Sequence, residues 1–161
     1  EKELSVKEIL RPDCVVETDQ QILIPEQYVA SISERLSLYA KLDNVKDEAA
    51  LLRFQTELTD RFGPLPREVR DLTETVRLRW KAETTGFERL ILKNDAMKGY
   101  FVSGEGSAVY FKSETFGKVL AYAQAQPKTC ALKEQKGKPM ISFANVRTVR
   151  QAMDTLAAVL G

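Results

Sequence analysis

The sequence predicts an α+β fold, in which N-terminal amphipathic helices are followed by a mixed strand and helix half with antiparallel hairpins. Two observations carry this prediction. Between positions 25 and 86, apolar residues recur every three or four positions, as in helices that bury one face. From position 87 onward, short apolar runs are separated by turn-forming residues, which is typical of strands. Helices followed by mixed elements within 161 residues favour the α+β class.

Three amphipathic helices are expected in the helical half. The first begins near Pro25, and four residues form its apolar face: Tyr28, Ile32, Leu36 and Tyr39. The second extends from about position 46 to 62, because Gly63 can form a left-handed C-cap and Pro64 cannot continue a helix. The third extends from about position 66 to 84. Helices joined by such short links can cover one another's apolar faces.

The second half has a different pattern. Strands are expected at 87–92 and 98–103, and a hairpin turn at 104–106 leads into a further segment at 108–111. A helix follows at about 114–126, with Ser113 as its N-cap. Segments 129–132 and 140–143 are expected to form a hairpin, and Asn145 is expected to cap a final helix.

The predicted domain organisation has three parts. Residues 1–24 form an extended leader, a linker plus a strand, in which residues 19–21 provide a turn. Residues 25–86 form the helical half. Residues 87–161 form the α+β half, and we expect 25–86 and 87–161 to make one compact domain. The chain opens on charged residues without methionine, so we expect it to be part of a longer protein.

Composition favours a cytoplasmic protein without catalytic chemistry of its own. No segment has the ~20 consecutive apolar residues that cross a bilayer, and the first four residues lack an apolar signal core. The two cysteines, Cys14 and Cys130, match no metal-site spacing; a disulfide between them is one alternative, but two buried free thiols are expected. The chain has no histidine, and no nucleotide-binding loop appears. We therefore expect no catalytic residues, no cofactor, no metal and no enzyme activity.

The charge distribution leaves a second function open. The chain has a net charge of +1, yet residues 97–150 contain nine Lys or Arg and three Asp or Glu. A basic segment with interspersed aromatic residues is compatible with nucleic-acid binding. The same residues also fit a solvated surface, because neighbouring strand residues point to opposite faces.

Two short motifs identify the chain more specifically. The first comprises Ile24-Pro25-x-x-Tyr28-Val29 together with Arg35-Leu36-x-x-Tyr39. The second is the run from Glu57 to Pro66, Glu-Leu-Thr-Asp-Arg-Phe-Gly-Pro-Leu-Pro. In this order and spacing the motifs resemble the C-terminal domain of the bacterial transcription-repair coupling factor family (Mfd), mainly over residues 22–86. This chain has Ala30 where the family pattern has an acidic residue.

The resemblance implies a regulatory function. Proteins of this family displace stalled RNA polymerase with an ATP-dependent DNA motor and recruit excision repair through UvrA. Their C-terminal domain is expected to mask the N-terminal UvrA-binding domain in the resting state. By motif position, the protein-binding residues are Glu57, Asp60 and Arg61, and the partner is the N-terminal UvrA-binding domain of the same protein.

The same three residues can be interpreted without the resemblance. Glu57 and Arg61 have the spacing of a favourable i,i+4 pair, and Arg61 complements the helix dipole. Asp60 opposes the dipole in the last turn, so another interaction is needed to favour it there. A solvated helix end and a partner-binding patch are therefore the two interpretations. An enzyme of unrecognised type is a third reading of the chain, with no supporting motif.

Overall fold

The computed structural model describes residues 14–20 and 22–161, and within these ranges it contains six helices and five strands. Residues 1–13 and 21 of the expected leader and its turn lie outside the described residues. The helices are α1 (Ile32–Asp43), α2 (Glu48–Phe62), α3 (Arg67–Thr85), α4 (Ser107–Phe111), α5 (Glu114–Ala125) and α6 (Val149–Leu160). The strands are β1 (Val15–Thr18), β2 (Phe87–Lys93), β3 (Ala96–Phe101), β4 (Cys130–Gln135) and β5 (Lys138–Ala144). These elements confirm the predicted α+β class.

The five strands form one mixed sheet in the order β1-β2-β3-β5-β4. β1 is parallel to β2, and the other three pairings are antiparallel. The tight connections at 94–95 and 136–137 adopt positive φ angles, as two-residue hairpin turns do. The hairpin expected from segments 129–132 and 140–143 is therefore confirmed as β4 and β5.

One face of the sheet is apolar and fully covered. Its central residues are aligned across the strands, where Leu92 pairs with Met97 and Met97 pairs with Phe143. All three are at most 2% exposed. Gly99 lies in the same face, and a Cβ there would come within 2.5 Å of the Phe87 ring. The absence of a side chain at position 99 is what lets this ring pack against the sheet.

The described chain divides into two compact units. The sheet unit comprises residues 14–20 and 77–161, and the helical unit comprises residues 22–76. In the helical unit, α2 buries Leu51, Phe54 and Leu58, which recur three or four positions apart on one face of the helix. Asp47 caps the start of this helix by accepting a hydrogen bond from the Ala50 backbone N–H at 2.8 Å.

The first helix differs from the prediction. It begins at Ile32 after an N-cap at Ser31, and residues 26–28 form a turn instead of its first helical turn. Its buried residues are Leu38 and Leu42, whereas Ile32 and Leu36 are 67% and 62% exposed. The expected apolar face was therefore wrong, because its spacing counted Tyr28, which lies before the helix.

Three further expectations need correction. Residues 108–111 lie in the short helix α4, because the left-handed backbone of Gly106 begins a helical turn that buries Tyr110. The N-cap of α6 is Thr148, whose hydroxyl accepts from the Gln151 N–H at 3.0 Å, while Asn145 has a φ of 61°. Of the leader residues that the structure describes, 14–20 and 22–24, only Val15–Thr18 form a strand, and 22–24 pair with no strand. Ser113 does cap α5, as expected.

Candidate interaction site on helix α2

Tyr28 joins the two motifs that identify the chain. Its hydroxyl lies 2.7 Å from the Gly63 carbonyl and 3.2 Å from the Leu58 carbonyl, both at the end of α2. Its ring lies 5.7 Å from the ring of Phe62, at a tilted angle. The first motif therefore fixes the helix end on which the charges of the second motif lie.

Arg35 and Tyr39, both in α1, hold the segment that precedes α1 against this helix. The Arg35 guanidinium donates to the Val29 carbonyl at 2.6 Å and to the Ala30 carbonyl at 3.1 Å. The Tyr39 hydroxyl accepts from the Ile24 backbone N–H at 2.7 Å. Ala30 takes part in these contacts only through its backbone carbonyl. The contacts therefore do not require the acidic side chain that the family pattern has at this position. These roles were missed from sequence, because they depend on contacts between separate segments.

Gly63 ends α2 with a positive φ of 95°, and its N–H donates to the Thr59 carbonyl at 2.9 Å. A residue with a Cβ is strained in this conformation, which explains the glycine at this point of the motif. Pro64 follows and supplies no N–H to extend the helix. The last turn of α2 therefore ends at a fixed position, with Asp60 and Arg61 on it.

Glu57 and Arg61 both form ion pairs with α1. The Glu57 carboxylate lies 2.5 Å from the Lys41 ammonium, and the Arg61 guanidinium pairs with the Glu34 carboxylate. The same guanidinium lies over the Phe62 ring, 4.7 Å from its centre. The i,i+4 pair expected within α2 is thus replaced by two pairs across the antiparallel helices α1 and α2. Both pairs are partly exposed, so each contributes at most about 1 kcal/mol.

Asp60 is exposed and makes no hydrogen bond or ion pair with any described residue. It lies in the last turn of α2, where a carboxylate faces the negative end of the helix dipole. Such a placement is unfavourable by about 0.3–1 kcal/mol at an exposed site. Nothing within the described chain therefore offsets the unfavourable placement of Asp60 in the last turn of α2.

The three charges line a shallow depression along α2. The depression has a volume of about 420 Å³ and is lined by Leu52, Arg53, Thr56, Glu57, Asp60 and Arg61. Leu52 is 50% exposed and supplies an apolar contact beside the charges. Positions 52, 56 and 60, like 53, 57 and 61, are four apart, so a helical projection places all six on one face. A helical projection of the sequence would therefore have placed Leu52, Arg53 and Thr56, which the sequence analysis did not name, beside the three predicted residues.

The chemistry of this face suits recognition of a protein surface. It offers paired charges of both signs, one unpaired carboxylate and an apolar side chain, in a concavity open to solvent. Elsewhere in the described residues, no group of three or more Cys, Asp or Glu residues is arranged to hold a metal ion. No helix among these residues combines the length and apolar character needed to cross a bilayer.

The most strongly shifted ionisable groups lie in the sheet unit, outside this face. Burial, followed by the nearby Glu83 carboxylate, raises the pKa of the Cys14 thiol to about 12. Burial raises the pKa of the Cys130 thiol to about 11 and raises that of Tyr110 further above its ordinary range. Both cysteines are buried free thiols, as predicted, and both remain protonated and unreactive at neutral pH.

Comparison with known proteins gives the family. The sequence model of the TRCF domain family matches residues 18–110 of this chain. The transcription-repair-coupling factor of Escherichia coli (strain K12) is 33% identical over 89 residues, which cover 55% of this chain and 8% of that protein. The homologous factor of Rickettsia bellii (strain RML369-C) is 26% identical over 133 residues, covering 77% of this chain and 11% of that protein. The chain thus spans about a tenth of the length of these relatives.

A solved structure shares the whole fold. The crystal structure of the C-terminal domain of transcription-repair coupling factor superposes with a TM-score of 0.69, covering 94% of this chain and 96% of that one. Sequence identity in this comparison is 17%, so it supports the architecture alone. With the match over residues 18–110, the chain belongs to the TRCF domain family.

Proposed function

We propose that this chain is the regulatory C-terminal domain of a transcription-repair coupling factor, and that it masks the N-terminal UvrA-binding domain of the same protein. On this proposal, the outer face of α2 binds that domain in the resting state. ATP hydrolysis, movement along DNA and contact with RNA polymerase belong to other parts of the full-length protein. The domain itself is non-catalytic and acts by covering a recruitment surface.

Asp60 is the observation that carries the proposal. It is exposed, unpaired within the described residues and set against the helix dipole. A cation on the partner would relieve this unfavourable placement. Leu52 and Arg53, beside it in the same depression, add an apolar contact and a donor.

Weak contacts are sufficient for this kind of masking. A tethered partner is present at an effective concentration on the order of millimolar, so an interface of modest affinity remains closed. Opening requires only a few kcal/mol of differential binding by whatever engages the rest of the protein. Because Glu57 and Arg61 already pair with Lys41 and Glu34, the domain can release its partner without leaving these two charges unpaired.

The experiment is a UvrA capture assay with the full-length protein. The variant Glu57→Ala/Asp60→Ala/Arg61→Ala is expected to retain the fold by circular dichroism and to capture more UvrA than the unaltered protein. The matched control is Arg150→Ala/Asp154→Ala, which removes an exposed i,i+4 ion pair from α6 in the sheet unit. Equal UvrA capture by the triple variant, the control and the unaltered protein would refute masking through this face.

A second measurement isolates the contact itself. Titration of this domain with the separate N-terminal domain is expected to give saturable binding that weakens with added salt, because the interface is charged. Asp60→Ala alone is expected to weaken it. Asp60→Asn retains the shape and removes the charge, so a similar loss with asparagine assigns the effect to electrostatics.

A further inference from the structure

The face of the sheet opposite the buried apolar face carries mainly polar and charged side chains. Residues that pair across the strands share a face, and Arg89 pairs with Tyr100, Tyr100 with Met140, and Met140 with Lys133. One row nearer the β2–β3 turn, Lys98 lies between Ile91 and Ser142. Strand alternation places all of these opposite the covered apolar face. We call this surface the open face.

The open face is basic. Five cations lie on it, namely Arg89, Lys93, Lys98, Lys133 and Lys138. Glu17 of β1 is the acidic side chain that strand alternation adds to them, and it pairs with Arg89 at 3.1 Å and Lys93 at 3.8 Å. The remaining three lysines are exposed and form no ion pair within the described chain. An excess of positive charge is thus concentrated on one surface of a chain whose net charge is only +1.

Tyr100 lies on the central strand of this face. Its hydroxyl hydrogen-bonds the Gln135 side-chain oxygen at 3.1 Å, and the Arg89 guanidinium lies 5.6 Å from the ring centre. The ring is half-buried, and its neighbour Met140 is 4% exposed. The ring is therefore held in one orientation, with Arg89 beside it on β2 and Lys133 beyond Met140 on the other side.

We propose that the open face binds single-stranded nucleic acid, with Tyr100 stacking on a base and Lys98, Lys133 and Lys138 neutralising phosphates. Positive charge around an oriented aromatic ring is the combination that single strands require, since their bases are free to stack and their backbone is charged. A duplex keeps its bases stacked internally and gains nothing from the ring. An acidic protein surface gains from the lysines but leaves Tyr100 without a role. The site lies in the sheet unit and involves none of the residues of the α2 depression, so it stands apart from the masking proposal.

Fluorescence anisotropy with a labelled twelve-nucleotide oligo(dT) tests the proposal on the intact domain. Three phosphate contacts predict an affinity about 20-fold lower at 200 mM than at 50 mM salt. The variant Lys98→Ala/Lys133→Ala/Lys138→Ala is expected to lose most of the binding and most of this salt dependence. Its control, Lys112→Ala/Lys118→Ala/Lys128→Ala, removes the same charge from three exposed lysines outside the five strands and is expected to bind nearly normally.

Tyr100 separates stacking from simple charge attraction. Tyr100→Leu is expected to weaken oligo(dT) binding about tenfold, while Tyr100→Phe, which retains the ring, stays within about twofold of the unaltered domain. A duplex of the same length is expected to bind more weakly than the single strand. Equal losses in the two triple-lysine variants would overturn the proposal. So would a Tyr100→Leu variant with normal affinity, or tighter binding of poly-glutamate than of oligo(dT), which would indicate an acidic protein partner.

Discussion

The Tyr28 hydroxyl is expected to stabilise the end of α2, and Tyr28→Phe removes this group alone. The ring stays against Phe62, while the Gly63 carbonyl loses the hydroxyl at 2.7 Å. The contact to the Leu58 carbonyl at 3.2 Å is weaker, because one hydroxyl proton is shared between two acceptors. Loss of one such hydrogen bond lowers the free energy of unfolding by about 1 kcal/mol. In a chain of this size that corresponds to a decrease in Tm of about 2–4 °C.

Urea denaturation followed by circular dichroism measures the effect. The midpoint concentration is expected to fall while the m-value stays constant, because the surface exposed on unfolding is unchanged. Tyr28→Ala, which also removes the ring contact, is expected to cost about 2 kcal/mol or more. Tyr122→Phe is the matched control, since no described residue hydrogen-bonds the Tyr122 hydroxyl. If Tyr28→Phe changes stability no more than Tyr122→Phe, the hydroxyl does not hold the helix end.

Three other predictions concern stability. Gly86→Ala is expected to destabilise by about 2–4 kcal/mol in thermal unfolding, since φ is +105° and the new Cβ would lie 2.1 Å from a tyrosine ring carbon. Gly117→Ala, in open space on α5, should instead stabilise by about 0.5–1 kcal/mol, and equal effects of the two would contradict this geometry. A double-mutant cycle on Lys41 and Glu57 should give a coupling energy of about 0.2–1 kcal/mol that decreases with salt; a larger value would mean a desolvated pair. The pKa of Cys14 is about 12 in the folded state and 9.0 in the unfolded chain, so the unfolded state loses this proton first as pH rises. The free energy of unfolding should therefore decrease between these two pH values. In alkaline denaturation, Cys14→Ala should make this decrease smaller.

Local signals in the sequence predicted the elements whose ends are set by local chemistry. α2 ends where Gly63 and Pro64 require it, and its start is capped by Asp47. The hairpin of β4 and β5 is set by the turn at 136–137. In each case the determining residues lie within a few positions of the element, so one segment contains the whole signal.

The remaining features depend on distant contacts, and a single sequence does not contain them. α4 is a five-residue helix whose apolar pattern also fits a strand, and burial of Tyr110 decides between the two. The acidic residue of the expected pair within α2, Glu57, bonds Lys41 instead, because α1 packs antiparallel to α2. In the candidate site, Glu57, Asp60 and Arg61 were proposed from the family resemblance. Leu52, Arg53 and Thr56 share their helical face, but only the structure shows that this face lines a depression.

The parallel pairing of β1 with β2 has a consequence for how the chain folds during synthesis. Glu17 and Arg89 bond each other although 72 positions separate them, and the entire helical unit is encoded between them. The first strand therefore leaves the ribosome long before its neighbour exists, and the helices have time to assemble first. We therefore expect the pairing of β1 with β2 to form late in folding, because contacts between distant segments form slowly, and the β1 backbone to remain without its strand partner until then.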